Sequence, residues 1–218
     1  MPDLTTNEDN PYLKRAYALQ DAKSARTLYD EWATKYDSDL SSLEYTFPQQ
    51  ASTALLAQFP DADLANIKIL DAGCGTGLVG ISLKQAGAHR ANIMGCDIST
   101  GMLEVARKSG AYGSLDETDL SKPLRYVDGQ FDGVVCVGTL TQGHVGPDPV
   151  LGEFARVVKK GSGVVVATVL EAIWESGGFR SRIEELVKEG LVEVVSDTVV
   201  GITKGESEGG RLVVLRKL

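Results

Sequence analysis

Histidine and cysteine are scarce in this chain, and positive charge is outnumbered. Only two histidines and three cysteines occur among 218 residues. Cys74, Cys96 and Cys136 lie far apart with no CxxC spacing, which argues against a redox or zinc motif. Each sits in or beside an apolar strand and reads as a small buried residue in a reducing compartment. Lysine and arginine number 22 against 30 acids, for a net charge of −8. An acidic surface repels phosphate backbones, so nucleic acid is not the expected partner. No apolar run approaches membrane-spanning length. Residues 1–8 are polar and acidic and lack the basic start and apolar stretch of a signal peptide. These absences predict a cytoplasmic protein with no membrane partner.

The length suits one α/β domain with a real core. Residues 1–10 read as a frayed polar end. Apolar spacing at Leu13, Tyr17, Leu28, Trp32 and Tyr36 predicts a helix over 12–38. A second helix is expected from Pro48 to Phe59. From there strand and helix alternate. Strands are predicted at 67–71, 91–97, 111–116, 131–137 and 163–170. Helices are predicted at 77–87, 100–109, 148–159 and 179–189. Ser99 is a good N-cap and Gly110 a good stop for the second of these helices. Two last strands, 191–202 and 210–217, flank a polar turn and should pair antiparallel. The expected fold is α/β: a doubly wound, Rossmann-like, seven-stranded sheet, mostly parallel with an antiparallel C-terminal hairpin. It forms a single domain over 1–218, with 1–60 as a helical cap and 61–218 as the core.

The run Ile67-Lys68-Ile69-Leu70-Asp71-Ala72-Gly73-Cys74-Gly75-Thr76-Gly77 carries the most information. An apolar strand ends in an acid and breaks into three alternating glycines, which let backbone pass close to a ligand. A dinucleotide site wants G-x-G-x-x-G with pyrophosphate on a helix N-terminus. Here the third glycine comes one position early, and Leu78 stands where it would fall. Asp71 in front of the loop would repel a pyrophosphate but pair with an ammonium. That fits the amino-acid end of S-adenosylmethionine (SAM) better than NAD. Asp97 lies 20 residues past Gly77, where a carboxylate can accept from ribose hydroxyls. The bland alternative is a tight βα turn with a solvent-facing aspartate.

These residues resemble the class I SAM-dependent methyltransferases. Asp71-Ala72-Gly73-Cys74-Gly75-Thr76-Gly77 is similar to the family's first motif. Cys96-Asp97-Ile98-Ser99 with Gly101-Met102-Leu103 is similar to its second, and Phe131-Asp132-Gly133-Val134-Val135 to its fourth-strand motif. The segment Phe154 to Gly163 resembles "L-x-R-V-L-K-P-G-G", with Lys160 in place of proline and Ser162 in place of the first glycine. Tyr29-Asp30-Glu31-Trp32, Val137-Gly138-Thr139-Leu140 and Gly143-His144-Val145 resemble the Williams-Beuren region methyltransferase-like proteins. The resemblance implies that SAM is bound and S-adenosylhomocysteine released. It implies Gly73 and Gly75 under the methionine part, Val137 and Gly138 as further cofactor contacts at the end of the fourth strand, and Asp71 holding the ammonium through the loop or water. It implies Asp97 on the ribose, Ile98 or Met102 on the adenine, and Asp119 and Leu120 at the adenine edge. Tyr29, Trp32 and Tyr36 would line the cap beside the sulfonium, where an aromatic face suits a cation. Each of those three also reads as ordinary helix core.

On the acceptor side, ligands bind outside the carboxyl ends of the strands. His144 follows the fourth strand and is the candidate general base; its alternative is a residue that only shapes the pocket. His89 falls in a polar turn on the far edge and reads as solvent-exposed. The chain has no Asn/Asp-Pro-Pro-Tyr/Phe after the fourth strand, which argues against base-amino methylation. Residues 137–142 offer no carboxylate trio for Mg²⁺, so a metal-independent reaction is expected. Trp174 and Phe179, after the fifth strand, could wall an apolar acceptor, or belong to a surface loop. The resulting expectation is methyl transfer from SAM to a small organic molecule, at oxygen, by a monomer or homodimer acting in secondary metabolism. The alternative is a methyltransferase fold that binds SAM without transfer, as a cyclase or regulatory binding module.

Overall fold

The computed structural model describes residues 10–19, 21–60 and 63–218. The expectation for the first residues of the chain falls almost wholly outside them. Seven strands form one sheet: β1 (Ile69–Ala72), β2 (Ile93–Asp97), β3 (Ser114–Glu117), β4 (Gly133–Leu140), β5 (Val164–Leu170), β6 (Val192–Gly201) and β7 (Gly209–Lys217). Their order is β3-β2-β1-β4-β5-β7-β6. The first five run parallel, and β7 pairs antiparallel with both β5 and β6. The chain leaves β1 toward β2 on one side and later returns to β4 on the other. That reversal opens a crevice at the carboxyl ends of β1 and β4, the usual ligand site of such sheets.

Alternation along the central strands sorts side chains to two faces. Leu70, Val134, Cys136, Val165 and Ala167 meet α6 (Val150–Val157) and α7 (Phe179–Lys188) on one face. Ile69, Val135, Val137, Val164 and Val166 meet α3 (Phe47–Leu56), α4 (Leu78–Gln85) and α5 (Thr100–Ser109) on the other. Cys74, Cys96 and Cys136 are free and buried. Among the described residues, no helix is long and apolar enough to cross a membrane.

The N-terminal helix expected over 12–38 is two helices, α1 (Pro11–Tyr17) and α2 (Ala22–Ser42). Asn10 Oδ1 accepts from the N–H groups of Tyr12 and Leu13, and Asp21 Oδ1 accepts from Ser24 N at 2.7 Å. Each cap starts its own helix. The apolar spacing ran through both because Leu13, Ala16, Leu28 and Trp32 share one cluster. Strand four also departs from expectation. It begins at Gly133 and runs on to Leu140, with its register slipping between Cys136 and Leu140. Gly138 sits in that slip with a φ of +70°.

Candidate active site

After β1 the backbone turns through Gly73, Gly75 and Gly77 with φ values of +75°, +52° and +103°. The N–H groups of Gly73 and Cys74 both donate to Cys96 O, at 2.8 and 2.9 Å, which ties the loop to β2. A Cβ on Gly73 would lie 2.1 Å from Thr139 Oγ1. A Cβ on Gly75 would meet no protein atom within 4 Å, because it would stand in the cavity itself. Asp97 closes the crevice beside the loop. Its Oδ2 accepts from Gly75 N and its Oδ1 from Ser99 N, both at 2.9 Å. Burial raises its pKa, and these backbone donors pull it back only in part. Each oxygen keeps a lone pair, enough to accept from two neighbouring hydroxyls.

A cavity opens over this loop. It is lined by Gly73, Gly75, Asp97, Ile98, Met102 and Val137, by Asp119 and Leu120, and by Tyr29, Tyr36, Gly138 and His144. The Asp119 carboxylate accepts from the Ser121 backbone and hydroxyl and pairs with Lys122 at 2.9 Å. Burial pushes its pKa up, but those partners outweigh it and the net direction is down.

Two residues named for the cofactor, Asp71 and Trp32, do not line this cavity. Asp71 is fully buried behind the loop. Its Oδ2 accepts from Tyr112 Oη at 2.6 Å, and its Oδ1 has no partner. Burial holds its pKa up at about 7 against the pull of Tyr112. Trp32 is 1% exposed, donates its indole N–H to Asp39 at 2.7 Å, and faces a second cavity.

That second cavity is walled in part by the cap and shares Tyr29, Tyr36, Gly138 and His144 with the first. Its other walls include Tyr17, Trp32, Tyr45, Phe47 and Thr168. Tyr45, Phe47 and Thr168 escaped the sequence reading and Tyr17 was read only as part of an apolar helix face, since the four come from α1, the bridge residue before α3, α3 itself and β5 and form no linear motif. Trp174 and Phe179 line neither cavity. Both are buried in the core, Phe179 as the first residue of α7, with Arg211 stacked 4.8 Å from the Trp174 ring. His89 is exposed on the far edge and caps a short turn.

On the shared wall, Tyr29 Oη lies 2.7 Å from His144 Nε2, and His144 Nδ1 lies 2.8 Å from Gln142 O. A carbonyl only accepts, so Nδ1 carries the proton and Nε2 accepts from the tyrosine. Burial lowers the His144 pKa, opposed in part by Gln142 O. Burial also raises the Tyr29 pKa far above its ordinary value. The wall is therefore a neutral phenol donating to a neutral imidazole.

Helix α2 of the cap bonds to the core through Asp30, Asp37 and Arg26, besides Tyr29. Asp30 Oδ1 accepts from Ser99 Oγ at 2.6 Å and Gly101 N at 2.8 Å. Thr76 Oγ1 donates to Asp37, and Arg26 pairs with Glu117. Among the described residues, no three His, Cys, Asp or Glu side chains stand together as metal ligands.

The donor set fits SAM. Asp97 offers its free lone pairs to a ribose, Gly75 leaves room for a ligand against the backbone, and Asp71 keeps a buried acceptor without a donor. Residues 69–161 match a family model described as a methyltransferase domain. Methyltransferase-like protein 27 of Homo sapiens is 37% identical over 134 residues, covering 61% of this chain and 54% of that protein. The ubiquinone biosynthesis O-methyltransferase of Pseudomonas aeruginosa is 36% identical over 114 residues, 50% of this chain and 47% of that one. The chain thus spans about half the length of these two relatives. The demethylmenaquinone methyltransferase of Streptomyces avermitilis is 30% identical over 186 residues, 84% of this chain and 75% of that protein. Among solved structures, the magnesium protoporphyrin IX methyltransferase of Synechocystis with bound SAM shares the fold. Its TM-score is 0.56 at 17% identity, covering 99% of this chain and 94% of that one.

Proposed function

The chain belongs to the class I SAM-dependent methyltransferases, and from that membership we propose that it methylates a small organic molecule at oxygen, with His144 as the base. The observation that carries this reading is the wall common to the two cavities, built by Tyr29, Tyr36, Gly138 and His144. A donor in one cavity and an acceptor in the other would meet there, within reach of a neutral imidazole. SAM, when bound, supplies a methyl group on a sulfonium. Asp97 orients the donor by accepting from its ribose, and the Gly73–Gly75 backbone gives it room. The rings of Tyr29 and Tyr36 face the cationic end and help keep water out. Asp71 acts behind the loop as an acceptor for an ammonium, through backbone or water.

Tyr29 stands between the acceptor and His144. Its proton already points at Nε2, so an acceptor hydroxyl that donates to Tyr29 Oη can lose its proton along that line. A free tyrosinate is disfavoured by burial, so the two transfers are coupled. The relative named as an O-methyltransferase supports oxygen as the atom. The expected segment 1–60 acts as the cap of one domain, and the reading includes a cytoplasmic setting in secondary metabolism.

The test is incubation with methyl-labelled SAM and metabolite extract, with mass detection of labelled products. His144→Ala should cut turnover about 10²-fold and leave SAM affinity within about twofold. Equal loss of SAM binding removes the catalytic role of His144. SAM binding without any labelled product favours a regulatory binding module.

A further inference from the structure

The second cavity is walled by aromatic and aliphatic side chains, and among the described residues no aspartate, glutamate, lysine or arginine reaches it. Tyr29 and Trp32 stack at 6.1 Å and 15°, and Tyr36 meets Trp32 edge-on at 4.7 Å. Tyr45 and Phe47 add a further tilted pair at 5.7 Å. The polar groups in the wall are neutral. Thr168 is 2% exposed; its Oγ1 accepts from Gly138 N at 3.0 Å and keeps its own proton to give. His144 is held neutral in the tautomer that accepts at Nε2.

We infer that the acceptor is a flat, electrically neutral aromatic molecule carrying a phenol or enol hydroxyl, and not a carboxylic acid or an alkyl amine. This rests on the methyl-transfer reading above and narrows it. A carboxylate entering this cavity would lose its water and find no cation to pair with. An ammonium would find aromatic faces but no acid, and it has no lone pair until it sheds a proton. A phenol meets neither obstacle. Its ring lies against the aromatic walls, its neutral substituents reach threonine hydroxyls, and its one acidic proton faces the Tyr29–His144 pair.

The charge balance agrees. The acceptor oxygen bonds the methyl carbon as the carbon–sulfur bond breaks, and that electron pair stays on sulfur as a neutral thioether. The phenol proton passes to Tyr29 Oη while the proton of Tyr29 passes to His144 Nε2. One positive charge enters as sulfonium and one remains as imidazolium, so a dry cavity is never asked to create net charge.

The experiment uses three ligands of one shape: 2-naphthol, 2-naphthoic acid and 2-naphthylmethylamine, which are neutral, anionic and cationic at neutral pH. Equilibrium dialysis with the purified chain, with and without S-adenosylhomocysteine, reads binding; mass detection of 2-methoxynaphthalene reads transfer. Naphthol should bind about tenfold or more tighter than either ion. Leu43→Arg, which sets a cation in the wall, should shift the naphthoate-to-naphthol preference toward the acid by about tenfold. Either ion binding as well as naphthol, or naphthol failing to bind, overturns the inference. Naphthol binding with no SAM binding or no methyl product leaves the cavity assignment standing and defeats the methyl-transfer reading instead.

Discussion

His144 spends its Nδ1 proton on a backbone carbonyl, and this decides which nitrogen can take a proton from Tyr29. Tyr29→Phe keeps the ring that walls both cavities and removes the link. Turnover should fall about 10²-fold with SAM affinity nearly unchanged, measured by steady-state kinetics and calorimetry. Because burial lowers the His144 pKa, the imidazole stays neutral below the ordinary value of about 6.5. The acid limb of kcat should therefore fall with a midpoint below that value, and a midpoint above it would contradict the burial argument. Asp71 works in the opposite direction. Its folded pKa of about 7 exceeds the unfolded value, so the folded state binds the extra proton between about pH 4 and 7. Stability should decline as pH rises through that window and stay reduced above it. Asp71→Asn retains an acceptor for Tyr112, so the cofactor-free variant should be more stable than wild type at pH 8, by roughly 1–3 kcal/mol. The gain should vanish near pH 4 in urea melts. The sequence marked Asp71 through its motif. It did not reveal that Tyr112, 41 positions away, holds one of its oxygens.

At the level of elements, local chemistry was the reliable guide. Helix α5 occupies the residues that Ser99 and Gly110 predict, since the serine accepts from Met102 N and the glycine takes a left-handed φ of +63°. The glycine turn was legible for the same reason. Gly73→Ala must adopt a φ of +75° and displace Thr139. The backbone alone should cost about 1–2 kcal/mol, and SAM affinity should drop more than about tenfold as Thr139 moves into the donor cavity; a melting curve and a binding titration check both. Hydrophobic spacing was the weaker guide, because one apolar stripe crossed two capped helices. It also left Trp174 and Phe179 ambiguous, and tertiary packing drew both into the core. The cap's hold on α5 runs through Asp30. Asp30→Ala removes two hydrogen bonds, worth about 0.5–1.5 kcal/mol each. Amide exchange in α2 should speed up while that of β1 and β4 stays slow.

Over the whole molecule, the donor cavity joins the cap to the sheet edge, so filling it should hold the two together. A ligand at a hundred times its Kd adds about 2.7 kcal/mol to folding stability. SAM at that ratio should therefore raise the melting temperature by about 5–10 °C in a chain of this size. No shift would contradict the placement of the donor site. The parallel strands and the glycine turn were readable from the middle of the sequence, where strand, glycine turn and capped helix follow one another.

The second cavity draws its walls from a different part of the chain. Apart from the shared wall and residues 140–141, its lining comes from residues 13–47 and 168–203, which flank the glycine loop and Asp97. On the proposed reading, substitution in those flanks alters which acceptor fits and leaves the methyl source in place, so the selectivity of the reaction and its reagent are written in separate stretches of the chain.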